Sequence, residues 1–313
     1  MEMAVEAPVK KPSLAKVLFL ETRPQFLTLI PCVLTPGIAL AYLRGSFNLA
    51  HLVLALIGSL LVHIAVNVLN DYVDWVRGTD KLVTRTPFSG GSGLIKAGLI
   101  SPRTVLIEGV VALCMSLVIG AYFVYLYPVL LWFVVGGVLL TLLYTPILTK
   151  IVITEIFPGL GFGIIPVIGA YVVMQPVGRV VITPGIIWAS IPVTILVSGL
   201  LWINEIPDIK ADKATGRRHA VLLMGSHKAA WGYVILLVAT YISIVVPVTL
   251  GVLPVWYLLG LLTIPLAVKA GTGAVKNHAS IEGIIPALGQ NVLTVLATPI
   301  LLAIGLTIAK FVG

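Results

Sequence analysis

Every aspartate in the chain falls in one of two polar clusters. The first reads His63, Asn67, Asn70-Asp71, Asp74 and Asp80, and the second reads Asn204-Glu205, Asp208 and Asp212. Asn70 and Asp74 are spaced i, i+4, as are Asn204, Asp208 and Asp212, so each set lines one face of a helix. The step from Asn70 to Asn204 equals that from Asp74 to Asp208, 134 positions in both cases. Carboxylates brought together repel one another and resist ionisation unless cations intervene. Hard oxygen donors suit Mg²⁺, which takes one or two carboxylates and completes its shell with water and phosphate. Asn70, Asp71, Asp74, Asp80, Asp208 and Asp212 are therefore the candidate metal ligands, and Asn67 and Asn204 are neutral neighbours. Basic residues are interleaved with the acids: Arg77, Lys81, Arg85, Lys210, Lys213, Arg217 and Arg218. Carboxylates alternating with cations are what a metal–diphosphate needs. Arg77, Arg85, Lys213, Arg217 and Arg218 are the candidate clamps for the anion.

The elements that carry these clusters must lie in a bilayer. The 313 residues are 59% hydrophobic and only 10% charged, with a mean hydropathy of +1.10. Soluble domains carry about 25% charged residues. Apolar runs long enough to cross the hydrocarbon core recur from end to end. The reading is an all-α polytopic membrane protein with about nine spans: 23–43, 50–73, 103–126, 129–148, 153–174, 185–206, 228–249, 254–271 and 285–309. Ser101-Pro102 and Thr183-Pro184 pair a capping residue with Pro at the first helical position. Pro31, Pro36, Pro192 and Pro299 fall inside spans, where they kink them.

The clusters stand at the ends of spans two and six. Their matched offset suggests two pseudo-repeated halves enclosing a central cavity. Residues 1–22 form an N-terminal segment with a short interfacial helix after Ser13, and residues 23–313 form one transmembrane domain. No apolar signal core precedes them. With the N-terminus cytoplasmic, seventeen of the twenty basic residues fall on the cytoplasmic side, and only Arg44, Arg179 and Lys310 fall outside. That asymmetry is the positive-inside signal. It puts the N-terminus and both charged loops, 74–102 and 207–227, in the cytoplasm of a cell-membrane protein. The net charge of +8 is largely this orientation signal and implies no nucleic acid. No protein partner is inferable.

Other polar residues have plainer readings. His63 can hydrogen-bond Asn67 one turn on, an interhelical polar contact rather than a catalytic group. Glu205 pairs with a loop cation or helps bind a second substrate. Glu155 is read as an interfacial ion pair with Lys150. Tyr72 and Tyr144 are neighbours of the clusters by position. Gly159-Leu160-Gly161-Phe162-Gly163 lies in an apolar span without a preceding strand, so it is a close helix-packing site and not a nucleotide loop. Cys32 and Cys114 lack metal or disulfide spacing, and no serine has a partnered His/Asp arrangement.

On the paired clusters the chain resembles the UbiA superfamily of intramembrane prenyltransferases, which carries NxxxDxxxD motifs on its second and sixth helices. The second motif is intact as Asn204, Asp208 and Asp212. The first matches at Asn70 and Asp74 but has Gly78 in third place, with Asp80 the nearest carboxylate. The strings NVLNDYVDWVRGTD, Arg85 and Ser89-Gly90-Gly91-Ser92-Gly93 look most like the menaquinone branch. The resemblance implies Mg²⁺, an isoprenyl diphosphate donor, and the aromatic acceptor 1,4-dihydroxy-2-naphthoate. Other acceptors within the superfamily are 4-hydroxybenzoate and geranylgeranylglyceryl phosphate. A secondary transporter would instead place its charges near the bilayer midplane. The DGxxAR…GxxxDxxxD string of the CDP-alcohol phosphatidyltransferases is missing.

Overall fold

A computed structural model describes residues 12–79, 87–88 and 90–312, and the regular structure among them is helical throughout. Helix α1 (Leu14–Glu21) begins at Ser13, whose hydroxyl accepts from the Lys16 N–H. Its Leu14, Phe19 and Leu20 point outward, as a helix lying in the membrane interface requires. Nine apolar helices follow: α2 (Pro24–Leu43), α3 (Leu49–Arg77), α4 (Pro102–Leu126), α5 (Pro128–Leu143), α6 (Ile156–Val173), α7 (Pro184–Ala214), α8 (Ala220–Thr249), α9 (Val255–Asn277) and α10 (Ile281–Val312). All except α5 are long and apolar enough to cross a membrane. Residues as apolar as Val118 and Trp132 stand about three-quarters exposed, at 72% and 76%. An outer surface of that kind belongs in lipid, so the chain is an integral membrane protein.

The break between α4 and α5 falls at Tyr127-Pro128, where the sequence suggested it. The second charged segment differs from expectation. Helix α7 does not stop at 206; it continues through Pro207 to Ala214, and α8 begins at Ala220. Falling hydropathy marks where the bilayer ends, and a helix can continue into water past that edge. The loss of one hydrogen bond at Pro207 does not end it. A sharp break does occur at Gly225, whose φ of 74° only glycine adopts freely, and the straight apolar part of α8 lies beyond it.

Close helix contacts use small residues. A Cβ on Gly163 of α6 would fall 2.5 Å from Thr194 Cα of α7, and one on Gly37 of α2 would fall 2.0 Å from the Val167 carbonyl oxygen of α6. Glycine is the residue that lets these backbones approach, which matches the reading of the 159–163 run. That run contains a π-turn over Leu160–Ile164. Cys32 and Cys114 are free thiols. Helices α2, α3, α6, α7 and α10 surround a central cavity of about 210 Å³.

Candidate active site

Helices α3 and α7 carry the two clusters on their polar ends, and those ends meet. The Arg217 guanidinium, just beyond α7, reaches Asp74 of α3 at 3.2 and 3.3 Å and Asp212 of α7 at 3.3 Å. One side chain thus touches both motifs, so the two helix tips face a shared space. Asp208, half-buried, stands one helical turn before Asp212 on α7. Burial disfavours the charged guanidinium, but Asp74 and Asp212 more than offset it and hold Arg217 firmly charged. Beneath the acids, Asn67 and Asn204 line the central cavity together with Tyr144. Asn204 Oδ1 is buried without a hydrogen-bond partner in the structure. An orphan carboxamide oxygen one helical turn from Asp208, where the cavity meets the acidic helix ends, is what a hard cation would satisfy. The donors gathered here are all oxygens, so the residues fit Mg²⁺.

Asp71 is buried and paired with Arg23. Arg23 is the one non-glycine among the described residues with positive φ, 54°. A non-glycine held there is strained, a condition that collects at functional sites. The Gly90–Gly93 loop folds down onto the same carboxylate: Ser92 N–H donates to Asp71 Oδ2 at 2.7 Å, and Ser92 Oγ donates to Glu21 at 2.7 Å. Gly91 has φ +71°, and a Cβ on it would lie 3.0 Å from Asp71 Oδ1 and 3.2 Å from Arg23 Nη2. The Gly90–Gly93 loop is therefore a cover over Asp71 beside the first motif, held by backbone that glycine supplies at positive φ. Asn67 is fixed by donating to the Thr22 carbonyl at 3.0 Å, and Asn70 Oδ1 accepts from the Thr145 hydroxyl at 3.0 Å.

A second polar layer backs the α7 motif. His219 Nε2 lies 3.0 Å from Asp212 Oδ2, and its Nδ1 lies 3.2 Å from Glu205 and 3.7 Å from Glu155. Burial alone would lower the imidazole pKa, but hydrogen bonds to Asp212 and Glu205 outweigh it and raise the pKa to about 9. The ring is thus wedged among three acidic side chains and orients Asp212. Glu155 also accepts the Val221 N–H at 3.2 Å, which ties the start of α6 to that of α8. This is not the expected pairing with Lys150: Glu155 points inward and is buried. Glu205 does take a loop cation, His219. Tyr144 is half-buried where it lines the cavity, and its phenol pKa is pushed up, first by desolvation and then by Glu205.

The remaining candidates are less central. Arg77 donates to the Thr145 and Pro146 carbonyls at 2.6 and 2.7 Å, bracing the α5–α6 connection. Lys213 and Arg218 are exposed, and the Arg218 N–H donates to the Thr149 carbonyl at 3.3 Å. Asp80, Lys81, Arg85 and Ser89 lie outside the described residues. His63 does not bond Asn67. Its ring packs on Phe162 with centroids 4.6 Å apart, and the Asn67 amide donates to the Thr22 carbonyl. Sequence reasoning missed Arg23 and His219. Each stands immediately before a helix start (Pro24 and Ala220), and that position was the available signal.

Comparison with known proteins agrees with this geometry. Along 96% of its length the chain is 29% identical to a 1,4-dihydroxy-2-naphthoate octaprenyltransferase of Bacillus subtilis, covering 96% of that protein. Its fold is similar to that of a UbiA homologue from Aeropyrum pernix, with a TM-score of 0.68 at 18% identity over 88% of this chain and 97% of that one. It is also similar to a UbiA homologue from Archaeoglobus fulgidus bound to GPP and Mg²⁺, with a TM-score of 0.57 at 16% identity over 91% and 99% of the two chains. The sequence profile of the UbiA prenyltransferase family matches residues 28–280. With its two acidic helix tips joined over an intramembrane cavity, this chain belongs to the UbiA prenyltransferase family.

Proposed function

We propose that the protein transfers a prenyl group from an isoprenyl diphosphate to 1,4-dihydroxy-2-naphthoate within the membrane, with Mg²⁺ bound between its two motifs. The observation that carries this reading is Arg217 spanning Asp74 and Asp212. A space in which one cation already joins both motifs is suited to divalent ions and a diphosphate. The name of the Bacillus subtilis relative supports the acceptor, and the GPP and Mg²⁺ seen in the Archaeoglobus fulgidus homologue support the donor and the metal.

Asn70, Asp74, Asn204, Asp208 and Asp212 would hold the metal. Bound there, Mg²⁺ would neutralise charge on the leaving diphosphate and so ease breakage of the allylic C–O bond. Arg217 binds diphosphate oxygens from the protein side, and His219 keeps Asp212 aimed at the same space. The bond breaks with its electron pair leaving on diphosphate, and the electron-rich ring carbon of the acceptor attacks the allylic carbon. That ring carbon then gives up its own substituent, a proton or its carboxyl group as CO2, whose bonding pair restores the aromatic ring. Water must be kept away meanwhile. The Gly90–Gly93 cover on Asp71 does this from above, and the apolar walls do it from below. The motif ends and their loops face the cytoplasm, following the distribution of Lys and Arg.

The test is purified protein with Mg²⁺, a prenyl diphosphate and a panel of acceptors, with products read by mass spectrometry. Asp74→Ala and Asp208→Ala should each lose diphosphate release by at least about a hundredfold, in the range of removing a transition-state electrostatic partner. Wild-type turnover in either variant would sink the metal assignment. Transfer to 4-hydroxybenzoate or geranylgeranylglyceryl phosphate, but not to the naphthoate, would move the protein to a sibling activity.

A further inference from the structure

A second apolar space of about 180 Å³ lies between α2, α3, α4, α5 and α6. Phe162 lines both spaces. Its ring stacks against His63, which lines the central one, with centroids 4.6 Å apart. His63 Nδ1 is buried there without a hydrogen-bond partner in the structure, and the residue is only 5% exposed. Phe162 sits in the π-turn Leu160–Ile164, an irregularity that often marks functional positions in helices. Neither space alone reaches the roughly 300–1,000 Å³ of a typical small-molecule site, yet the central one must take a diphosphate, the reacting allylic unit and a ring acceptor.

We infer that the α2–α6 space is the binding site for the distal isoprene units of the donor, and that the His63–Phe162 pair is the doorway that sets the accepted chain length. The inference rests on the prenyl-transfer reading above. A hydrocarbon chain is the ligand selected by an apolar space parted from the diphosphate site by the Phe162 ring, since each buried CH₂ is favourable and the walls offer little to a polar group. Phe162 must turn aside for the third and later units to pass. His63 holds the ring at the junction, and the π-turn gives the ring a position that a regular helical turn would not.

Gly137 of α5 lines the second space, and a Cβ on it meets nothing within 4 Å. Gly137→Phe therefore fills that space without touching the motifs, and Phe162→Ala widens the doorway. The assay measures kcat/KM for dimethylallyl, geranyl, geranylgeranyl and longer diphosphates at fixed acceptor and Mg²⁺. Gly137→Phe should lower the ratio of kcat/KM for the C20 donor to that for the C10 donor by at least tenfold, and Phe162→Ala should raise it. Gly137→Leu, a smaller plug, should give an intermediate ratio; it serves as the readout if the Phe variant fails to fold. Ratios unmoved in the Gly137 variants, with the enzyme still turning over, would overturn the second site and mean that lipid fills the space. A Phe162→Ala ratio that does not rise would overturn the doorway. Absence of transfer from every donor by the wild type would instead remove the underlying activity.

Discussion

Replacing Arg217 with Met should make the ligand-free protein bind divalent metal more tightly while stopping the reaction. Arg217 sits where two carboxylates need a cation, and any Mg²⁺ binding Asp74 and Asp212 must compete with it. Its contacts of 3.2–3.3 Å are longer than the best charge-assisted bonds, about 2.7–2.9 Å. Each partner is therefore assigned the low end of the charged range, about 1.5 kcal/mol. The Arg217 side chain is 25% exposed, and discounting for solvent screening leaves about 2 kcal/mol over both partners. At about 1.4 kcal/mol per decade, removing that competition tightens divalent binding by up to about thirtyfold. Turnover should move the other way, falling about 10²–10³-fold as a group stabilising the departing diphosphate is lost. The measurement is a Mn²⁺ titration of donor-free protein by electron paramagnetic resonance, with Mg²⁺ competition, beside a steady-state rate. Metal affinity that is unchanged or weaker in the variant would refute the claim that Arg217 and the ion share the same carboxylates.

The cover over the first motif gives a second prediction. Gly91→Ala puts a Cβ 3.0 Å from Asp71 Oδ1 at a φ of +71°, a strain of about 1–3 kcal/mol. It should lower kcat at least tenfold and raise the share of donor lost to water, read as prenyl alcohol in the products. The His219 imidazolium gives a third. Its pKa is raised to about 9 against the ordinary value of 6.5, so its contribution to stability is full below about pH 6.5 and fades as pH climbs through 9. In chelator-treated protein, the wild-type thermal midpoint should therefore decline across that window. His219→Gln should start lower and stay flatter; parallel curves would refute the assignment.

Much of this architecture was legible because the bilayer imposes a one-dimensional rule. Apolar runs must be long, so span count and the Tyr127-Pro128 break were readable. The i, i+4 spacing of Asn204, Asp208 and Asp212 put them on one helical face without any tertiary information. What was not legible depends on where the chain returns. Nothing in the spacing says that Arg217 will lie beside Asp74, 143 positions earlier, or that Asn67 will donate to the Thr22 carbonyl while His63 packs on Phe162. The end of α7 was misjudged for a different reason. Hydropathy reports contact with lipid, and Asp208 to Ala214 are helical but too polar to register as a span. Arg77, chosen as a clamp by its place in the first charged loop, is spent on carbonyls of the α5–α6 connection because the end of α3 lies against that turn.

Arg23 separates a backbone effect from a side-chain effect more sharply than any other residue here. Its φ of 54° would be relieved by glycine, a gain of about 1 kcal/mol from backbone conformation alone. The same substitution deletes the partner of Asp71, whose side chain is 3% exposed, and leaving a buried carboxylate unpaired costs about 3–5 kcal/mol. The lost ion pair outweighs the relaxed turn, so Arg23→Gly should destabilise by about 2–4 kcal/mol, the difference between those two effects. Asp71 also receives the Ser92 N–H, so the Gly90–Gly93 cover should loosen with it, seen as faster hydrogen exchange at residues 90–93. Arg23→Lys keeps a charge and the strained backbone and should fall between the two. If Arg23→Gly proves as stable as the wild type with the cover still protected, the left-handed turn is only an entry into α2, and Asp71 must be held ionised by something other than Arg23.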